Sequence, residues 1–252
     1  MIADPLFYLA AIPAVLLYGI SKGGFAGGFG IVAVPLIALI VSPAQAAAIM
    51  LPILLAMDLG AMWAYRANWD RALIKVILPA GLAGTLIGTL TFRMLSANAL
   101  KLLLGAIAVG FVLYRVTRRR VTGPPAPRSR VKGAFWATVS GITSFVAHSG
   151  GAPLSVYLLP LRLPPAILVG TSAFFFAALN WSKVVPYWWL GLFSAENLAT
   201  AAALAPLGLA GIGLGVWVRR HIAEALFYRI VYGFLLLTGA KLLVDGVRGA
   251  AA

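Results

Sequence analysis

The chain has 252 residues, 62% of them hydrophobic and only 10% charged, and a mean hydropathy of +0.98. A soluble domain is usually about a quarter charged and cannot hide this much apolar surface, so the composition is that of an all-α polytopic membrane protein. The net charge of +14 does not indicate nucleic acid, because the basic residues crowd at the ends of apolar runs and in one linker, as they do in helices oriented by a bilayer. Cysteine is absent, which excludes disulfides and thiolate metal sites. Two histidines and six acidic residues are too few for a dense metal cluster, and neither metal nor cofactor is expected.

The N-terminus, Met1-Ile2-Ala3-Asp4-Pro5, lacks the positive start of a secretory signal and leads into a first membrane segment. Five helical segments are expected on each side of a basic linker. Segments 5–20 and about 29–41 are shorter than the ~20 residues of a full span; segments 44–65, 72–92 and 98–116 are long. Residues 118–132, rich in arginine and proline, form an exposed linker that separates a first repeat, 1–117, from a second, 133–252. The second half opens with the short segments 133–147 and 151–161 and continues with 165–189, 195–218 and 222–247.

A shift of 122 residues places Gly19 on Gly141, Ile20 on Ile142, Gly28 on Gly150, Leu36 on Leu158, Pro43-Ala44 on Pro165-Ala166 and Asp58 on Asn180. The halves read as duplicated. Five crossings per half would invert the second repeat relative to the first, and the charges agree. With the linker inside, the basic residues outside the inner-side set are Arg93, Lys101, Lys183, Arg229, Lys241 and Arg248, six of 20. Lys22 is counted with the inner set. The asymmetry predicts an inverted repeat with both termini outside; re-entry of the short segments would leave the parity unchanged.

Two glycine-rich stretches, 19–30 and 141–153, read as irregular backbone within this apolar setting. Such backbone is tolerated only where protein or a water-lined cavity satisfies it. In inverted-repeat transporters, broken helices point their N-termini at a midplane site, and a helix start favours anions. Candidate anion-binding residues are Ser21, Lys22, Gly23, Gly24, Phe25, Gly27 and Gly28 in the first stretch. In the second they are Thr143, Ser144, Phe145, His148, Ser149, Gly150 and Gly151. The glycines would equally serve close helix packing, Lys22 an inner-side anchor, and Phe25, Phe29 and Phe145 either gating or packing. His148 can donate to an anion or titrate near neutral pH.

Asp58 lies deep in its segment, and Lys183 follows Asn180 by three residues on one helical face. Intramembrane charges are paired, hydrated or functional. Asp58 and Lys183, with Asn180, are therefore expected to form an ion pair or coupling switch, against the alternative of a snorkelling Lys183. His221, beside Arg219-Arg220, reads as a solvated charge. Trp63, Tyr65, Trp69, Tyr187, Trp188 and Trp189 read as an interfacial belt.

The chain resembles the sulfite exporter TauE/SafE family at Ser21-Lys22-Gly23-Gly24-Phe25, Val34-Pro35-Leu36, Ser42-Pro43, Met50-Leu51-Pro52, Asp58 and Asn68-Trp69-Asp70. Thr143 through Gly151, Leu158-Leu159-Pro160, Asn180, Lys183, Pro186-Tyr187 and the tail 237–243 extend the likeness. The resemblance implies two homologous halves and export of sulfite, sulfonates such as sulfoacetate, or related small anions across the bacterial inner membrane. The expected partners are that anion and the lipid bilayer, not nucleic acid; a homodimer is left open.

Two rivals are weighed against a carrier. Gly19-Ile20-Ser21-Lys22-Gly23 satisfies G-x-S-x-G, which with His148 as base would suggest an intramembrane serine hydrolase. That motif needs a strand–turn–helix setting, whereas helix is expected on both sides and no acidic third member is evident. The chain is read as a non-enzyme. An anion channel is the second rival, since duplicated broken helices also build pores.

Overall fold

The computed structural model describes residues 1–24, 30–117, 124–221 and 224–251. Among them there is helix and no strand. The first half holds α1 (Pro5–Gly24), α2 (Ala33–Ile37), α3 (Pro43–Ala64), α4 (Arg71–Phe92) and α5 (Ala97–Thr117). The second holds α6 (Arg130–Ala147), α7 (Gly151–Leu158), α8 (Pro165–Ser182), α9 (Val184–Trp189), α10 (Ala195–His221) and α11 (Glu224–Ala251). Single 3₁₀ turns stand at Gly30–Val32 and Leu159–Leu161. Among the described residues, six runs are long and apolar enough to cross a membrane: α1, α3, α4, α5, the joined α8–α9 and α10.

Side chains set several helix starts. Ser42 accepts from the Gln45 N–H with Pro43 in the first turn of α3, Asp70 caps α4 through Leu73 N–H at 2.9 Å, and Ser129 caps α6 through Lys132 N–H at 3.3 Å. Each satisfies one of the donors that a helix start leaves without a partner. The Ser129 cap starts α6 at Arg130, so the last residues of the expected linker, 130–132, are helical.

The short segments fold back as hairpins. In the second half, Ala126 N–H donates to Pro160 O at 2.9 Å, joining the chain before α6 to the chain after α7. The Tyr157 ring lies against Gly133 near the start of α6, and Gly150 lies against Ser140 and Ser144 nearer its end. Thus α7 runs back along α6. In the first half, Ile2 N–H donates to Thr200 Oγ1 at 3.0 Å and Gln45 Nε2 to Asn197 Oδ1 at 3.1 Å. Both acceptors lie in the opening turns of α10, so α1 begins and α3 begins at one end of the molecule, and the chain between them goes in and returns.

That end also carries Arg93 over the Trp189 ring at 5.2 Å and the bond from Asn98 to Gly249 O. It is the terminal end, since both the first and last helices have their outer ends there. The opposite, linker end holds the Arg128–Asp70 ion pair at 2.7 Å and the bond from Asp70 N–H to Thr171 Oγ1 at 2.9 Å.

Two close helix crossings tie the long arm of each hairpin to the opposite half. On α4, Gly84 meets the backbone of Thr138 and Gly81 that of Gly141, while Gly88 meets Phe145 and Ile142 of α6. On α10, Gly211 meets the backbone of Leu16, Gly208 that of Gly19, and Gly215 that of Ile20, all of α1. A shift of 127 carries the three α4 glycines onto the three of α10, while the shift of 122 carries the α6 contacts onto those of α1. A Cβ at Gly19, Gly84 or Gly141 would overlap opposing backbone, so small residues here let helix backbones touch, as in membrane helix pairs generally. The two halves are interlocked: each hairpin's long arm packs on a long helix of the other half.

These crossings correct the reading of the glycine-rich stretches. Residues 19–24 are the last turns of α1, and 141–147 are the last turns of α6. Glycine is a poor helix former in isolation, but here it is a contact residue inside helix. The second-half break is confined to His148–Gly150, where His148 adopts φ 50°. The break expected in the first half, with Phe25, Gly27, Gly28 and Phe29, lies outside the described residues. The expected helix over 29–41 is reduced to the 3₁₀ turn and α2.

Candidate functional site

The centre is built where α3 passes α8. The two residues related by the 122-residue shift meet there: Asn180 Nδ2 donates to Asp58 Oδ2 at 2.7 Å, and Asp58 is fully buried. The other Asp58 oxygen pairs with Lys22 Nζ from α1. On the far side of Asn180, its Oδ1 accepts from Lys183 Nζ at 2.9 Å. Lys183 also donates to Ser144 O at 2.7 Å and Ser144 Oγ at 2.8 Å, and its Nζ lies 3.2 Å from His148 Nδ1. The result is one continuous line, Lys22–Asp58–Asn180–Lys183–His148, joining both hairpins to the central helices.

The direct Asp58–Lys183 ion pair expected from the sequence is therefore corrected. The Asn180 amide stands between them, giving its N–H to the carboxylate and its carbonyl to the ammonium. Lys22 takes the carboxylate instead and is not an inner-side anchor. Nor does Lys183 snorkel: it is fully buried and ends α8.

Hydrogen bonding also assigns the imidazole. His148 Nε2 lies 3.0 Å from Ala47 O, which can only accept, so Nε2 carries a proton. Nδ1 faces the Lys183 ammonium and is the acceptor. With both nitrogens committed to protein groups, His148 offers no free donor to an anion in this arrangement. Its left-handed backbone makes the turn that aims α7.

A cavity of about 40 Å³ reaches this line; a single water takes about 10–15 Å³ by this measure, so a small oxyanion or a few waters would fit. Its polar wall is Lys22, His148, Asn180, Ser172 and Gly151, the last at the start of α7. Tyr18, Tyr65 and Phe176 form an aromatic wall extending toward the linker end. Depth follows from helix rise. Gly170 lies level with Asn68 and Tyr65; Asp58 is seven residues from Tyr65 and Asn180 ten from Gly170. At 1.5 Å per residue the carboxylate and amide sit about 10–15 Å below the linker end.

The other candidate residues fall into distinct places. Ser21 is buried on α1. Gly23 meets the backbone of Ile212 on α10 and so serves packing, and Gly24 ends α1. Thr143 Oγ1 donates back to Val139 O at 2.9 Å, and Ser149 Oγ to Ala147 O at 3.0 Å, so these hydroxyls are held by their own hairpin. Phe145 is fully buried, edge-on to Phe92 and Tyr187; it is core, not a gate. Gly150 is pressed against Ser140, whose Oγ donates to its carbonyl at 2.7 Å. Tyr187 leaves the expected belt: it is fully buried and donates to Phe145 O at 2.7 Å. Trp63 and Trp188, by contrast, are well exposed. His221 lies at the exposed end of α10, stacked on Trp217.

Sequence reasoning passed over Tyr18, Ser172 and Phe176 and placed Tyr65 in the interfacial belt, whereas it lines the cavity. The signal was helical spacing. Tyr18 and Lys22 stand four apart on α1, and Ser172, Phe176 and Asn180 form an i, i+4, i+8 stripe on α8.

The fold and its charged centre define a multi-pass, all-α membrane protein whose two helical hairpins bring charged and polar side chains to buried central helices. The chain belongs to the sulfite exporter TauE/SafE family, whose model matches residues 11–242 and so takes in both hairpins, both crossings and the Asp58–Asn180 pair. The family is one of membrane transporters. The chain matches no curated protein and no solved structure.

Proposed function

We propose that the protein is a secondary carrier that exports a small oxyanion, such as sulfite or a short sulfonate like sulfoacetate, by alternating access across a bacterial inner membrane. The observation that carries this is Lys22 on the wall of a cavity between the two hairpins, its ammonium paired with the buried Asp58 behind it. Lys22 is the cation the cavity reaches, and Asp58 is its stand-in anion. An entering oxyanion competes with the Asp58 carboxylate for Lys22, while the start of α7 at Gly151 adds the partial positive charge of a helix N-terminus. Asn180 keeps hold of the displaced carboxylate, so it is never left without a donor.

Alternating access is supported by the matched crossings of α1 with α10 and α6 with α4, which suit an inverted repeat that can rock about its centre. The depth of Asp58 and Asn180 suits a site near the middle of a ~30 Å hydrocarbon core. Placing the basic linker in the cytoplasm follows the positive-inside rule, puts the termini in the periplasm and makes the cavity inward-facing. Export then runs with the membrane potential, which favours loss of one negative charge by about 2.3 kcal/mol per 100 mV.

The test is flux of sulfite, thiosulfate, sulfoacetate and sulfate in proteoliposomes. Saturable flux of at least one anion with counterflow, lost in Lys22→Gln, is the expected outcome. Unitary single-channel currents would replace the carrier by a pore, and saturable flux unaffected by Lys22→Gln would remove the site.

A further inference from the structure

On the outside of the molecule, away from the cavity, a groove of about 460 Å³ runs between α4 and α9. Its edges are Leu82, Leu86 and Leu90, one ridge of α4 at four-residue spacing, and Val185, Pro186 and Trp189 of α9. Leu86, Leu90, Val185 and Trp189 are 55–71% exposed, so none of the described residues covers them. The polar residues of the groove have no hydroxyl proton left to give a polar occupant. Thr85 Oγ1 is bonded to Gly81 O at 3.0 Å, Thr89 Oγ1 to Thr85 O at 2.9 Å and Ser182 Oγ to Leu179 O at 2.8 Å. An apolar recess with its hydroxyls already satisfied stays dry and takes hydrocarbon.

Length and charge narrow the occupant. From Leu82 to Leu90 the ridge rises about 12 Å, close to the ~15 Å hydrocarbon depth of one leaflet. The groove follows α4 toward its terminal end, and α4, at 22 residues, is about 33 Å long and spans the core. One turn beyond Leu90, Arg93 therefore stands at headgroup level. Its guanidinium lies over Trp189, the groove's outermost residue, at 5.2 Å. Among the described residues no ion pair includes Arg93. It is also a basic residue at the end that carries few of them.

We propose that this groove is a binding site for one anionic phospholipid of the leaflet at the terminal end. One acyl chain lies along the Leu82–Leu86–Leu90 ridge, and the headgroup phosphate is held by Arg93, braced on Trp189. The seated chain rests on Ser182, Val185 and Pro186, the residues flanking Lys183, where α8 gives way to α9. It thus buttresses the helix break that carries Asn180 and Lys183. The site does not depend on what the carrier transports.

The experiment is native mass spectrometry of the full-length protein released from nanodiscs containing phosphatidylglycerol or phosphatidylcholine. Phosphatidylglycerol should be retained on the wild type, and Arg93→Gln should weaken that retention about fivefold, the scale of one basic contact at a membrane surface. Leu86→Trp, which fills the groove and keeps Arg93, should lower the number of retained lipids by one. Lys75→Gln, a basic change near the linker end, should leave the outer-site lipid in place. Equal retention of the two lipids, or retention unchanged in both Arg93→Gln and Leu86→Trp, would overturn the site. A stable dimer carrying no lipid would overturn it as well, by assigning the groove to a second copy of the chain.

Discussion

Lys22 and Lys183 stand at the two ends of one hydrogen-bonded line, yet they are held in opposite ways. Lys183 is fully buried and surrounded by acceptors from α6, the hairpin tip and its own helix. Lys22 is on the cavity wall, 12% exposed at its side chain, and its partner among the described residues is Asp58. An ammonium has three N–H groups to place. Lys183 places all of them in protein, so its release would strand several acceptors at once. Lys22 can exchange one carboxylate for another anion at little cost, because the incoming charge replaces the outgoing one. Two lysines in one polar centre are therefore placed for different work: one fastens the second hairpin to α8, and the other is the one that the proposed function gives to the solute.

The comparison breaks most visibly at Lys183. Lys183→Met takes the lysine donor from buried Asn180 Oδ1 and Ser144 Oγ, while Ser144 O keeps the His148 N–H, at about 1–3 kcal/mol for each group left without a partner. The midpoint of thermal unfolding in detergent should fall by about 10 °C, on the scale of 2–4 °C per kcal/mol for a chain of this length. A midpoint within a few degrees of wild type would show that the Lys183 bonds are not what holds the hairpin. The next effect separates stability from transport. Lys22→Met should abolish flux and also destabilise, since a buried carboxylate loses its cation. Adding Asp58→Asn should recover most of that stability and none of the flux, a coupling readable as a double-mutant cycle; flux in the double variant would remove Lys22 from the transport path. The smallest effect is expected at the linker end. Arg128 is half exposed where it pairs with Asp70, and exposed pairs contribute about 0–1 kcal/mol. Arg128→Gln should shift the midpoint by no more than about 4 °C and leave flux unchanged. A larger shift would mean that burial is not what distinguishes the ion pairs of this protein.

Much of the arrangement was legible in the sequence, and the exceptions share a cause. The 122-residue shift makes Asn180 the counterpart of Asp58, and the two side chains do bond. Glycine, however, was read as a breaker at Gly19, Gly23 and Gly141, where it marks helix pressed on helix. The same letters serve both purposes, and only the partner backbone tells them apart. The second shift, 127 residues between the glycines of α4 and α10, was visible in the chain but had no meaning until both triplets were seen at equivalent crossings. Tyr187 lies among aromatics that do face outward, and its burial follows from the turn of α9 after Lys183 rather than from its neighbours in sequence.

Composition and apolar run length by themselves determined that this chain is helical and membrane-spanning, because a hydrocarbon interior forces backbone groups to bond within the segment. The 122-residue shift by itself paired Asp58 with Asn180. The tertiary structure alone decided which cation meets Asp58, which way the imidazole of His148 is protonated, and which glycines are joints rather than breaks. Those outcomes depend on groups brought within about 3 Å from helices far apart in the chain, and spacing along a single helix carries no record of its neighbours.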